Sequence, residues 1–185
     1  MRHRKLLTVL LFIGLLLAVA ELSGLRGHFS LEYVHARLME HPLGGLVVFI
    51  ALFSVGNLIQ IPGWIFLAAA VLAFGRTWGG IATYAAATIS CGVTFLVIRM
   101  IGGNALRQLE SGLAVRLLAR LDSHPVESVT LLRMLFQTAP ALNYALAMSG
   151  VAFGRYMIGT LLGLPLPIAA YCVFFDHLGK LFHLT

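Results

Sequence analysis

Apolar residues run along this chain in long blocks, and the few polar positions sit between blocks or at particular points inside them. The first block, Leu6 to Ala20, comes after the cluster Met1-Arg-His-Arg-Lys5 and predicts a membrane helix over residues 6–22. The same basic head, apolar run and Ala18-Val-Ala20 also fit a cleaved secretory leader. An uncleaved helix is the reading adopted, since the downstream segments are equally apolar and the Arg/Lys cluster holds the start in the cytoplasm. Glu21 to His41, with Arg26, Glu32, Arg37 and Glu40 among apolar residues, predicts a short amphipathic segment at the outer interface.

Leu43 to Phe74 is apolar for longer than the roughly 20 residues of one crossing, but Ile61-Pro62-Gly63 interrupts it just after Asn57 and Gln60. Proline removes a backbone donor and clashes with the preceding turn, and the adjacent glycine tolerates a tight reversal. The pattern predicts a helix–break–helix hairpin. Gly79 to Ile101, rich in Ala, Gly, Ser and Thr, predicts a closely packed spanning helix. Between Gly102 and His124, Leu106, Leu109, Leu113, Leu117 and Leu121 recur at three- and four-residue intervals beside Arg107, Arg116 and Arg120. That spacing predicts a basic amphipathic helix on the cytoplasmic surface. Val126 to Ala152 is apolar again and broken at Ala139-Pro140, with Arg133, Gln137 and Asn143 inside it. Tyr156 to Phe175 contains Pro165 and Pro167 and is expected to kink.

The two broken stretches share an order of features. Each opens with His-Pro (His41-Pro42, His124-Pro125), breaks at a proline (Pro62, Pro140) and closes with Ala-Phe-Gly-Arg (Ala73 to Arg76, Ala152 to Arg155) before another apolar segment. This internal repeat predicts two hairpins of opposite orientation with their tips facing each other at the midplane. A plainer topology, in which Leu43 to Gln60 crosses completely, places the basic helix outside; the cluster Arg99, Arg107, Arg116 and Arg120 speaks against it.

Composition agrees with these segments. Of 185 residues 59% are hydrophobic and only 11% charged, with a mean hydropathy of +0.93. Soluble domains carry about 25% charged residues, so a soluble fold has no way to bury this surface. The fold class expected is an all-α integral membrane protein: one domain over 1–185, made of a first helix (6–22), a hairpin plus helix (43–101), an amphipathic helix (102–124) and a second hairpin plus helix (125–176). The net charge of +6 is spread in short clusters between apolar runs, which reads as topology control and argues against nucleic acid. Cys91 and Cys172 lie inside apolar segments without ligand spacing, and the seven histidines show no metal motif. Neither a metal nor another cofactor is expected, and no Ser/His/Asp set, phosphate loop or carboxylate pair points to an enzyme.

Arg133 stands out because it interrupts the run Val129 to Phe136, where an unpaired charge costs about 3 kcal/mol. It is either a guanidinium snorkelling to the interface or one reaching into a hydrated cavity, where its planar fork suits a phosphate. Arg99 has two readings as well, a topology anchor or a second phosphate contact. Asn57, Gln60, Gln137 and Asn143 flank the breaks, where their amides either satisfy freed backbone groups or touch a ligand.

Ile61-Pro62-Gly63 with Ala68-Ala-Ala and Phe74-Gly75, then Phe95-x-x-x-Arg99-x-x-Gly102, then Arg133, Pro140, Asn143-Tyr144, Gly150 and Phe153 together resemble the DedA family. That family is also called the SNARE-associated Golgi or VTT-domain superfamily, and the likeness spans Leu43 to Tyr171. It implies two opposed re-entrant hairpins and movement of lipid between leaflets, polyprenyl phosphate or phospholipid being the cargo; the short compact form of the chain suggests a bacterial inner membrane. The chain departs from the family pattern in two places. Phe53 to Gln60 holds none of the acidic residues that accompany proton-linked transport, and Phe136 replaces a common first proline. The expected function is a flippase or scramblase in which Arg133 and Arg99 attract the phosphate, the four amides line the path, and Pro62, Gly63 and Pro140 hold the hairpins open. A small-solute or ion transporter and a non-transporting membrane-organising protein are the rival readings.

Overall fold

A computed structural model of the protein describes residues 42–108 and 112–181. The helix expected over 6–22 and the amphipathic segment from Glu21 to His41 lie outside the described residues. Every described element is helical: α1 (Pro42–Leu58), α2 (Gly63–Gly102), a short 3-10 turn (Ala105–Gln108), α3 (Gly112–Ser123), α4 (Pro125–Phe136), α5 (Pro140–Met148), α6 (Phe153–Gly163) and α7 (Pro165–Leu181). Among the described residues two stretches are long and apolar enough to cross a membrane, Gly63–Gly102 and Phe153–Leu181, each with a window of mean hydropathy 1.9.

Proline and glycine set most of these boundaries. α4, α5 and α7 begin on Pro125, Pro140 and Pro165, because the first helical position has no intrahelical acceptor for the N–H that proline lacks. The final segment therefore divides between α6 and α7, while Pro167 falls in the first turn of α7 and interrupts nothing. α2 has one residue with non-helical backbone, Gly75 at φ 75° and ψ 173°. A Cβ built on Gly79 would sit 2.5 Å from the carbonyl oxygen of Ala70, so the arms 63–74 and 76–102 fold sharply against each other. The second arm, about 40 Å long at 1.5 Å per residue, suffices to cross a bilayer. Helix thus resumes at Arg76, before the Gly79 start that composition suggests. The amphipathic helix is shorter than its leucine spacing predicts: Gly103, at φ 55°, closes α2, and the chain makes a 3-10 turn before α3.

The repeated Ala-Phe-Gly-Arg tetrapeptides differ in conformation. Gly75 breaks the helix in the first copy, whereas in the second Ala152 caps α6, Gly154 is helical, and the positive φ falls on Gly150. Similarity between the two units lies in the order of their elements.

The units also pack differently. α1 runs along α2, locked by Phe49, Phe53 and Phe66, whose ring centroids are 4.8–6.3 Å apart. α7 covers another side of α2. In the second unit α4 and α5 scarcely touch beyond their shared break: α4 packs on α6 and α5 on α2. Gly159 and Gly163 bring α6 close to α4, for a Cβ at either would stand 2.6 Å from a Cβ of Val129 or Arg133. This is the small-xxx-small spacing that lets helix backbones approach closely in lipid.

Candidate functional site

Each break forms where a helix ends on a glutamine that no glycine replaces. After α1 the chain passes through Gln60 at φ 63°, and Ile61 N–H reaches back to the carbonyl of Gly56 at 2.8 Å. After α4 it passes through Gln137 at φ 52° and ψ −123°, with its N–H on the carbonyl of Arg133 at 2.7 Å. A left-handed φ costs a residue with a Cβ about 1 kcal/mol, and the Gln137 pair of angles belongs to the glycine position of a tight turn. That turn presents the Gln137 carbonyl to the Arg133 guanidinium, whose Nη1 donates to it at 2.9 Å.

The two breaks lie against one another. A Cβ on Gly63 would fall 2.1 Å from Oγ1 of Thr138, so only glycine fits where the first break meets the second. Deeper in, Asn143 Nδ2 donates to Asn57 Oδ1 at 2.9 Å, Asn57 Nδ2 donates to Ser90 Oγ at 3.0 Å, and the Tyr144 hydroxyl donates to the carbonyl of Leu58. Asn57 and Asn143 thus join the units directly. Both are buried, which makes their paired amides costly to separate without a replacement partner.

Among the described residues Arg133 is the largest wholly buried side chain, at 0% exposure. It therefore does not snorkel to an interface. Its Nε donates to Thr160 Oγ1 at 3.3 Å, and its Nη2 donates to the Tyr156 hydroxyl at 2.7 Å. The guanidinium carbon lies 5.3 Å from the centre of the Tyr156 ring. Tyr156 in turn has one proton for two acceptors, the carbonyl of Cys91 at 3.0 Å and Asn143 Oδ1 at 3.3 Å. A continuous chain results: Arg133, Tyr156, Asn143, Asn57, Ser90. Among the described residues no carboxylate pairs with Arg133. Of the five N–H bonds of a guanidinium, three find acceptors among the described residues and two find none there.

Arg99 belongs to a different construction. Its Nε donates to the carbonyl of Ala147, its Nη2 to that of Val151 at 2.7 Å, and its Nη1 to Asn104 Oδ1 at 3.1 Å, with the guanidinium over the Phe95 ring. Arg107 adds a bond to the carbonyl of Ser149 at 2.7 Å and an ion pair with Asp122. Both arginines hold the carbonyl-rich end of α5, where cations are favoured. Arg99 thus shares no hydrogen-bond partner with Arg133, although the Phe95 ring beneath it lies 4.3 Å from the ring of Tyr156. Of the other sequence-predicted residues, Asn57, Asn143 and the backbone of Gln137 join the network, Gly63 makes the contact between breaks, and Pro62 and Pro140 stand where the next helices start.

Three participants, Tyr156, Ser90 and Thr160, escape a reading of the sequence. Tyr156 stands next to Arg155 of the repeated tetrapeptide, and a tyrosine inside an apolar block requires a hydroxyl partner, which is a usable signal. Ser90 is 33 residues from Asn57 on a helix full of small residues and carries no signal of its own. Among the described residues no three His, Cys, Asp or Glu side chains gather as a metal site would require.

No curated protein and no solved structure matches the chain. Residues 61–177, which begin at the first break and run through the second and into α7, match the family model described as the VTT domain. Since that match covers well over half of the 185 residues, the chain belongs to the VTT-domain family of DedA and SNARE-associated Golgi proteins, a family of membrane-associated proteins.

Proposed function

We propose that this protein carries a phosphate-bearing lipid, a polyprenyl phosphate or a phospholipid, between the leaflets of its membrane as a flippase or scramblase. The observation that carries this reading is Arg133, a buried guanidinium at the junction of two broken helical units with no carboxylate partner among the described residues. Retaining such a charge in an apolar protein costs about 3 kcal/mol, and an anionic head group accepting the two spare N–H bonds offsets it. In this reading the units α1–α2 and α4–α5 are re-entrant and oppositely oriented, so their breaks meet near the midplane and shorten the apolar barrier. The head group passes along Asn57, Gln60, Gln137 and Asn143 while its tails stay in lipid. Arg99 holds the frame of α5 and takes no part in binding. The protein is multi-pass, and a bacterial inner membrane supplies both cargo classes. No acidic residue occurs between His41 and Leu109 or between Ser128 and Phe175, which favours exchange down a gradient over proton coupling through a membrane carboxylate.

Vesicles reconstituted with the full chain and labelled phospholipid or polyprenyl phosphate test this. Exchange between leaflets is expected to fall at least tenfold in Arg133→Ala, with secondary structure and thermal midpoint retained, and to fall less in Arg133→Lys. Exchange unchanged by Arg133→Ala contradicts the proposal.

A further inference from the structure

Away from Arg133, a cavity of about 480 Å3 lies between α3, α4, α5 and the 3-10 turn. Its walls are Leu117, Leu118 and Leu121 of α3, Leu131 and Leu132 of α4, and Leu146 of α5, with smaller contributions around them. The two serines at its edge present no free polarity, since Ser128 Oγ donates to the carbonyl of Arg120 and Ser149 Oγ to that of Leu146. One charged residue borders it, Arg120, which is exposed, and Arg116 stands one turn earlier on α3. Asp122, the acid nearest Arg120 in sequence, is paired with Arg107, and Glu127, exposed beside Ser128, is the one other acid of α3 and α4, so Arg116 and Arg120 outnumber it at the rim. Leu131, half exposed at 49%, carries the apolar wall out to the surface, where Met134, Leu135 and Phe136 continue it.

From these features we infer that the cavity is a lipid site distinct from the Arg133 network, holding one acyl chain of an anionic phospholipid whose head group lies on Arg120 and Arg116. The volume falls in the range of roughly 300–1,000 Å3 typical of small-ligand pockets and is lined as an acyl chain requires. A helix is a poor occupant: the apolar segment 6–22 as a helix is about 10 Å across and 25 Å long, and inserts no more than a few side chains here. Cationic charge at the mouth selects an anionic head group over a zwitterionic one. The site also explains how the second unit tolerates arms that scarcely pack on each other, because the chain fills the space that α4 and α5 leave under α3. Leu132 adjoins Arg133 and Leu142 adjoins Asn143, so the bound tail braces the helices that carry the network.

Full-length protein in vesicles containing phosphatidylglycerol or phosphatidylcholine with a photoactivatable group on the acyl chain tests the site by mass spectrometry of the adducts. Adducts are expected to concentrate on the peptides carrying Leu118, Leu121, Leu132 and Leu146, at least threefold more with phosphatidylglycerol. Ala145→Trp, which fills the cavity, is expected to lower those adducts at least tenfold; Ala145→Leu serves as a milder filling variant should the tryptophan prevent folding. Arg120→Gln is expected to abolish the preference for phosphatidylglycerol while leaving adducts in place. Adducts spread evenly over outward-facing residues such as Leu162 and Val173 and indifferent to cavity filling overturn the inference. So does efficient cross-linking of a cysteine at Leu121 or Leu146 to one placed within residues 6–22. Neither readout depends on leaflet exchange or on Arg133.

Discussion

The two proline breaks carry similar patterns of residues, yet the first is held by packing and the second by hydrogen bonds. Around Pro62, α1 lies along α2 and three phenylalanines close the contact, with no charge in the unit between His41 and Arg76. Around Pro140, the arms α4 and α5 part, an arginine occupies the interior, and the chain bends through a glutamine in a glycine-like conformation. The first unit is thus an apolar packed wall against which the second presents its polar groups. Asn57 is where the wall offers a side-chain amide to its neighbour, beside the Leu58 carbonyl that accepts from Tyr144.

The comparison breaks most visibly at its packed side. Phe66→Ala is expected to cost about 4 kcal/mol in unfolding free energy, because a fully buried ring between Phe49 and Phe53 leaves a void the helices do not close. On the other side, Gly163→Val forces α6 away from Arg133 and Thr130 and is expected to cost about 3 kcal/mol, whereas Gly154→Ala, with nothing within 4 Å, is expected to cost nothing. Thermal or denaturant unfolding of the purified protein reads both. A double-mutant cycle on Asn57→Leu and Asn143→Leu measures the link between the units, and a coupling energy of about 1 kcal/mol is expected for a bond of this length. Smaller effects come from the backbone: Gln60→Gly and Gln137→Gly each relieve a positive φ and are expected to raise stability by up to about 1 kcal/mol. At Gln137 the gain survives loss of the side chain, since Arg133 is held by the carbonyl.

The positions of both breaks are legible in the sequence, because proline acts locally: Pro62 and Pro140 each stand at the start of a helix as their chemistry demands. The importance of Arg133, Asn57 and Asn143 is legible too, since a polar residue in an apolar block needs a partner wherever the chain goes. Which partner it finds is a matter of tertiary contact. Asn143 meets Asn57 across 86 residues and Arg133 meets Tyr156 across 23, and no spacing rule foretells either. Arg99 shows the converse. Its place in the sequence suits a phosphate contact as well as an anchor, and only the approach of the Ala147 and Val151 carbonyls shows it bonded to a helix end. Likewise the tetrapeptide Ala-Phe-Gly-Arg repeats in letters without repeating in shape, because glycine adopts left-handed backbone at position 75 and helical backbone at position 154.

The central claim is that the second break holds a guanidinium for a lipid phosphate. Thermal unfolding of the full chain with a short polyprenyl phosphate, beside the matching alcohol that lacks the phosphate, tests it most directly. At a ligand concentration of 100 Kd, stabilisation of about 2.7 kcal/mol is expected from the phosphate form, little from the alcohol, and that difference is lost in Arg133→Gln. Equal stabilisation by phosphate and alcohol, or a phosphate effect that persists in Arg133→Gln, contradicts it.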